Sequence, residues 1–318
     1  MPTAPGPAGR ALVIGEALVD IVVNPDSEPV EIPGGSPANV ALGLARLGRE
    51  VELDCWIGQD PRGQAIRSHL EADGVRLTSG ADGAAHTSTA RAVIGADRAA
   101  TYHFELDWNP PFPQPTPGAT PLLVHTGSIA AVLEPGCATV AQVLAEYRPT
   151  STTCYDPNAR PQLMGSPEQA RLTVERLVAL SDLVKCSDED LAWFYGLDQH
   201  DDAAIEAVLS NWLQIGPAVV VVTRGKRGAL ALASSGARVE VPADPAVVVA
   251  DTVGAGDSFM GGLEDGLWSE GLVGGAQRAA LREIDSATLE RVVRHASAIA
   301  DITVSRKGAN PPTRAELG

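Results

Sequence analysis

Between residues 251 and 262 the chain reads DTVGAGDSFMGG, two aspartates around a stretch almost bare of side chains and free of lysine or arginine. The apolar run AVVVA precedes it and GDSFMGGLEDGLW has helical character, so the pattern predicts a strand that becomes a helix at Gly254, Ala255 and Gly256. Such a turn presents the helix's first free N–H groups along its dipole, an anion site that needs no charged side chain. Glycine matters there because a Cβ would hold a phosphate off the backbone. Asp257 then stands beside the anion site, where a carboxylate is costly unless it does chemistry. Taking a proton from a hydroxyl that attacks a phosphoryl group is that chemistry. The same residues would also serve as a plain strand-to-helix connection capped by Asp257. The segment is not a Walker loop, lacking the Gly-Lys-Ser/Thr ending, and not GxGxxG, since Phe259 stands in the last glycine position.

A second glycine-rich segment, PGGSPANVALGLARLG, combines Gly34 and Gly35, which allow close backbone approach, with Asn39, which both donates to and accepts from a polyol. Its punctuation predicts a helix: Ser36 as N-cap, Pro37 at the first helical position, Val40, Leu44 and Leu47 on one face, Gly48 at the end. Asp60, Pro61 and Gly74 punctuate QDPRGQAIRSHLEADG in the same way.

These elements sit in a regular alternation. The short runs ALVIG, VELDCWIG, PLLVHTG, STTCYDP, SDLVKCS and AVVVVTRG are each followed by helical periodicity or a turn. This predicts an α/β fold, a three-layer, doubly wound, mostly parallel sheet with helices on both faces, in one domain over 1–318. Two extended segments break the pattern: DIVVNPDSEPVEIPG, and TSTARAVIGADRAATYHFELDW, a hairpin turning at GAD. They predict a small β-sheet lid built from residues 17–33 and 86–108, placed to cover a substrate or pair with a second subunit. The proline-rich DWNPPFPQPTPGATP reads as a loop back to the main body.

Composition narrows the partners. With 24 basic and 40 acidic residues, 24 − 40 gives −16, and no basic stripe appears, so nucleic acid is not expected as a partner. An anionic small ligand has to be held by local backbone dipoles and a cation. Cys55, Cys137, Cys154 and Cys186 form no CxxC pair and lie at no metal-ligand spacing from a histidine, which predicts reduced, mostly buried thiols. The opening MPTAPGPAGR has no apolar signal core and no segment is long enough to span a bilayer, so a cytoplasmic protein with no membrane partner is expected. His125, at a strand end, His69 and His295 read as packed or solvated residues.

The segments GEALVDIV, GGSPANVALGLARLG, YDPNAR, VTRGKRGA and DTVGAGDSFMGG, in that order and followed by RKGAN at 306–310, resemble the ribokinase (PfkB-type) sugar kinase family, and within it the fructokinases. The resemblance spans nearly the whole chain. It implies a ribokinase-like fold and ATP-dependent phosphorylation of a sugar primary hydroxyl, fructose to fructose 6-phosphate, with ATP and Mg2+ required. It casts Asp257 as the base and the amides of Gly254, Ala255 and Gly256 as the anion hole for the transferred group. Asp20, Gly34, Gly35 and Asn39 are implied sugar ligands. Asp156, Asn158 and Arg160 follow a strand, where ligands collect in open α/β sheets. Thr223, Gly225 and Gly228 are implied at the nucleotide. KCSDED takes the place of the family's NxxE element, with Ser187 for the asparagine and Asp190 for the glutamate that are linked to magnesium and phosphates. Asp251 and the backbone of Val253, Arg306 and Gly308 match the family's monovalent-cation site, so K+ is an expected activator, although Pro312 stands where ribokinase has serine. The lid carries the implied homodimer contact.

For the substrate, a 2-keto-3-deoxygluconate kinase needs cationic groups in the lid hairpin, by resemblance to that enzyme. Glu105 and Asp107 stand in TYHFELDW instead, which favours an uncharged sugar. Arg160 keeps the acid sugar as the alternative, since it could bind a carboxylate directly; ribose and tagatose remain open behind it. A catalytically silent sugar sensor on the same fold would have no need of Asp257 and its glycines, all of which are present.

Overall fold

A computed structural model describes residues 6–24, 27–94, 100–113 and 120–318. The start of the opening segment (1–5), the GAD turn at 95–97 and residues 114–119 of the proline-rich stretch lie outside the described residues. In chain order the strands are β1 (Arg10–Ile14), β2 (Leu18–Val23), β3 (Val30–Gly34), β4 (Glu50–Asp54), β5 (Arg76–Leu77), β6 (Thr89–Ile94), β7 (Ala100–Glu105), β8 (Leu123–Gly127), β9 (Thr152–Asp156), β10 (Leu183–Ser187), β11 (Val219–Thr223), β12 (Ala229–Ala233) and β13 (Arg238–Val241). The helices are α1 (Ser36–Arg46), α2 (Pro61–Ala72), α3 (Cys137–Tyr147), α4 (Pro167–Ala179), α5 (Asp188–Tyr195), α6 (Asp202–Ile215), α7 (Ala255–Ser269), α8 (Arg278–Arg282) and α9 (Ser286–Val304).

Among the described residues the larger sheet runs β13-β12-β11-β10-β9-β8-β1-β4-β5. From β11 to β5 all pairs are parallel, while β12 and β13 add an antiparallel edge. Central strands buried on both faces must be apolar throughout, and alternate residues of β1 show it: Ala11 and Val13 join the core under α1, α7 and α9, Leu12 and Ile14 the core under α3, α4 and α6. That is the predicted three-layer, doubly wound α/β architecture. The chain order reverses between β1 and β8, and α1 and α7 both begin on the carboxyl side of this sheet.

The predicted lid region forms a separate four-stranded sheet, β3-β2-β6-β7. Asp20 on β2 pairs across to Ile32 on β3 and Ala90 on β6, and Ala90 pairs with Phe104 on β7, so these four side chains share one face. Val30, Ile32 and Tyr102 on that face are about half exposed.

Two local expectations change. AVVVA is no strand: residues 246–250 are irregular, Val248 is 81% exposed, and the run meets the body of the fold at its end, where the amides of Ala250 and Asp251 donate to Val304 O. At its start Ala246 N and Val247 N donate to Asp244 in a local turn. A short apolar run is ambiguous, and this one lies at the surface rather than in the sheet. The N-cap of α1 is Gly35, not Ser36; Ser36 is the first helical residue and its hydroxyl is used elsewhere. Asp60 caps α2 as expected, accepting from Gly63 N.

Candidate active site

α7 starts where the glycines dictate. Gly254, its N-cap, has φ 75°, a left-handed conformation that costs any residue with a Cβ, and a Cβ there would fall 2.6 Å from that of Ala309. Ala255 N donates to Thr252 O at 3.2 Å and Ser258 N to Gly254 O at 2.8 Å. Among the described residues the N–H groups of Gly256 and Asp257 have no acceptor, so they are the donors a phosphoryl oxygen would meet.

Asp257, the third residue of α7, is buried, and its carboxylate is held from α1: Ser36 Oγ donates to Oδ1 at 2.7 Å and Asn39 Nδ2 to Oδ2 at 2.8 Å. Two directional bonds at the start of one helix thus aim the carboxylate at the start of another. Asn39, expected at the sugar, spends its amide on Asp257. The turn into α1 is close-packed: Gly35 has φ 107° and a Cβ on it would meet Glu16 O at 2.4 Å, while one on Gly34 would meet Asp20 Oδ2 at 2.3 Å. Asp20, Gly34, Gly35, Asn39 and Asp257 therefore form one cluster. Burial pushes the Asp20 carboxyl up to about 6, with Arg160 pulling it back and Asp257 adding to the rise.

The ends of β9 and β10 supply a group that sequence reasoning missed. Lys185, 4% exposed, donates to Asp156 Oδ2 at 2.7 Å, and a Cβ on Gly256 would stand 3.0 Å from its Nζ. A buried ammonium thus lies against the turn that presents the free amides. Burial works against its charge, yet Asp156, Asp190 and Asp257 outweigh that and hold it above the ordinary lysine value. Burial in turn raises Asp156 to about 6 against the pull of Lys185. The signal was available: a lysine inside SDLVKCS, on a strand buried on both faces, must have a partner.

Beyond Asp156 the loop holds Asn158 at φ 39°, and Arg160 Nη1 donates to Asn158 Oδ1 at 2.7 Å and to the carbonyls of Asn158 and Ala159. A non-glycine residue in that region marks strain of the kind that collects at ligand sites. Ser187 caps α5 and forms a reciprocal box with Asp190, whose other oxygen accepts from Ala159 N at 2.8 Å. Thr223, at the end of β11, donates to Cys186 O, and Gly225 and Gly228, both at positive φ, turn the chain into β12. Asp251 accepts from Val253 N and Gly308 N, and these two bonds, that of Gly308 foremost, hold its carboxyl below the usual range. This joins the loop before α7 to Arg306 and Gly308 beyond α9. Among the described residues the carbonyls of Val253 and Arg306 accept no hydrogen bond.

The four cysteines are free and buried. His125 is fully buried against Glu264, and His295 bonds Asp265. Among the described residues no helix is long and apolar enough to cross a membrane.

Known proteins bear on this arrangement. Residues 9–316 match the pfkB family carbohydrate kinase. A fructokinase of Klebsiella pneumoniae is 34% identical over 83% of this chain and 86% of its own, and a probable fructokinase-4 of Arabidopsis thaliana is 30% identical over 97% and 96%. Among solved structures, a double-mutant fructokinase from Vibrio cholerae O395, bound to fructose, ADP and potassium ion, superposes with a TM-score of 0.77 at 26% identity, covering 99% of this chain and 98% of that one.

Proposed function

Because the chain belongs to the pfkB family of carbohydrate kinases, and so is an ATP-dependent sugar kinase, we propose that it phosphorylates fructose at its primary hydroxyl to give fructose 6-phosphate and ADP. The observation that carries this reading is the buried Asp257 carboxylate, aimed by Ser36 and Asn39 at the head of a helix whose Gly256 and Asp257 amides are unspent. Asp257 takes the proton of the attacking hydroxyl; the sugar oxygen bonds to the γ-phosphorus, and the bond to the β–γ bridging oxygen breaks, leaving its electron pair on ADP. Charge on the transferred group meets the free amides of Gly256 and Asp257 and the ammonium of Lys185; the amide of Ala255, expected there from the sequence, is instead spent on Thr252 O.

The sugar ligands in this reading are Asp20, the backbone at Gly34 and Gly35, Asn158 and Arg160. Asn39 acts through Asp257. The guanidinium of Arg160 is already bonded to its own loop and neighbours the Asp20 carboxylate, which favours a neutral polyol over an acid sugar. Thr223, Gly225, Gly228 and Ser187 line the nucleotide side.

Both oxygens of Asp190 are spent on backbone amides, and no three His, Cys, Asp or Glu side chains among the described residues cluster as a metal site. In this reading Mg2+ would come with the nucleotide phosphates, with Asp190 as the nearby carboxylate, and would neutralise phosphate charge. The free carbonyls of Val253 and Arg306, shaped by Asp251 and Gly308, fit a monovalent cation such as the potassium in the Vibrio protein. Turnover in potassium against turnover in a large organic cation tests that site.

In the same reading residues 1–318 act as one domain with the four-stranded sheet as lid, the exposed apolar Val30, Ile32 and Tyr102 meet the lid of a second copy, and the protein works in the cytoplasm. The test is ATP consumption with fructose and with 2-keto-3-deoxygluconate. The expected result is fructose-dependent turnover that Asp257→Asn reduces at least about 10³-fold while sugar still binds. Turnover surviving in that variant would refute the assignment.

A further inference from the structure

His125 on β8 and Glu264 on α7 are both fully buried, and His125 Nδ1 meets Glu264 Oε1 at 2.7 Å. Among the described residues neither hydrogen-bonds a residue of the site just described, and His125 Nε2 and Glu264 Oε2 have no hydrogen-bond partner. Glu264 lies seven residues beyond Asp257, two turns on, so both side chains leave α7 on nearly the same side, about 10 Å apart along its axis. His125 sits opposite Cys154 and one pleat below Gly127 and Asp156, at the carboxyl ends of β8 and β9. The bond thus runs from the floor of the site to the helix that carries the base.

Other side-chain bonds tie α7 to α1 (Asp257 with Ser36 and Asn39), to α9 (Ser258 with Thr303, Asp265 with His295) and to Arg49, Arg314 and Pro7, but among the described residues His125–Glu264 is the side-chain hydrogen bond that ties it to a strand of the larger sheet. The rest of its inner surface is the apolar Phe259, Met260, Leu263, Leu267 and Trp268, with Gly262 and Gly266 pressed on α9. Apolar packing sets how close two elements lie but is nondirectional, whereas a hydrogen bond at 2.7 Å fixes angle and register. Stability is a poor reason for such a pair, because replacing a buried ion pair with apolar residues of like volume is often neutral or stabilising.

We propose that His125 and Glu264 are positioning residues for phosphoryl transfer, setting the seat of α7 on β8 and with it the place of Asp257 and its neighbouring amides. The inference rests on the reading of Asp257 as the base. The charged and titratable groups around the imidazole are Glu264 and Asp257 from α7, Cys154 and Asp156 from β9 and, beyond Asp156, Lys185 from β10; β1 presents Val13. Burial opposes a charged imidazole, but Glu264, with Asp156 and Asp257 behind it, raises the histidine above its ordinary value.

The test is the full-length double variant His125→Leu/Glu264→Met beside Glu264→Gln, which keeps an acceptor for the imidazole N–H. The double variant is expected to melt at or above the parent's temperature yet to lose about 10²-fold in kcat, the loss a displacement of about 1 Å brings, with KM for sugar and ATP within about threefold. Amides 255–258 should exchange faster in it, and Glu264→Gln should recover most of the kcat. Parental kcat and parental exchange in a folded double variant would overturn the proposal, as would losses that follow melting temperature alone across both variants. Should the parent fail to phosphorylate fructose, the functional reading falls, while exchange at 255–258 still decides whether this pair seats the helix.

Discussion

Replacing Lys185 with methionine removes the buried cation beside Gly256 and leaves Asp156 without its counter-charge. Had Asp156 to stay ionised, breaking such a pair would cost about 3–5 kcal/mol. Its carboxyl, however, already sits at about 6 with the lysine in place, and loses the charge that was holding it down. At an assay pH of about 7.5 it takes up a proton instead, a step worth about 2 kcal/mol at roughly 1.4 kcal/mol per pH unit. A loss of that size leaves a chain with a typical margin of about 5–15 kcal/mol folded. Turnover should fall much further, by about 10²–10³, the usual consequence of losing one preorganised charge at a developing anion. An ADP-release assay with fructose measures it, with circular dichroism as the control for folding. The double variant Asp156→Asn/Lys185→Met separates the two roles of the lysine. If Lys185 only neutralises Asp156, the double variant regains turnover, and that result, or near-parental activity in folded Lys185→Met, would refute the reasoning.

Gly254→Ala places a Cβ at φ 75° and within 2.6 Å of Ala309, so it should lower both stability and kcat, whereas Gly271→Ala, at φ 72° with nothing within 4 Å, should show the strain of about 1–2 kcal/mol alone and parental kcat; equal kcat losses would refute the assignment of the turn. Asp54 is buried on β4 with its Oδ1 bonded by Thr78 and its Oδ2 without a partner among the described residues, and burial, against that bond, raises it from 3.8 to about 7. A raised folded value means the group's contribution to the native state is fully present below about 3.8 and is lost progressively as pH climbs from there through about 7, so Asp54→Asn should raise the urea midpoint at about pH 8, by up to about 4 kcal/mol in stability, and by less than about 2 kcal/mol at about pH 5. An equal change at both pH values would count against it.

Much of this was legible because it is local. Alternating strand and helix signals announced the parallel sheet, Asp60 and Pro61 marked the start of α2, and two extended segments lacking helical periodicity became the four-stranded sheet. What escaped reading depends on contacts between distant parts of the chain. Ser36 looked like a cap because its type suits one, but the hydroxyl bonds a carboxylate 221 residues away. Lys185 and His125 were hidden by the apolar strands around them, although a charged residue there implies a buried partner. AVVVA failed for the opposite reason: its composition suits a strand, and nothing within five residues tells a core run from an exposed one.

The seam between α7 and α9 sets an order of events during synthesis. Gly262 and Gly266 let the backbone of α9 come so close that a Cβ on Gly262 would meet Ala296 Cα at 2.7 Å, and Gly254 leans in the same way on Ala309. Every residue of the glycine signature has been translated by position 262, yet the surface that shapes it is translated afterwards. A nascent chain halted before α9 would carry the whole glycine signature without the surface that shapes it, and is expected to phosphorylate nothing until α9 and Ala309 follow.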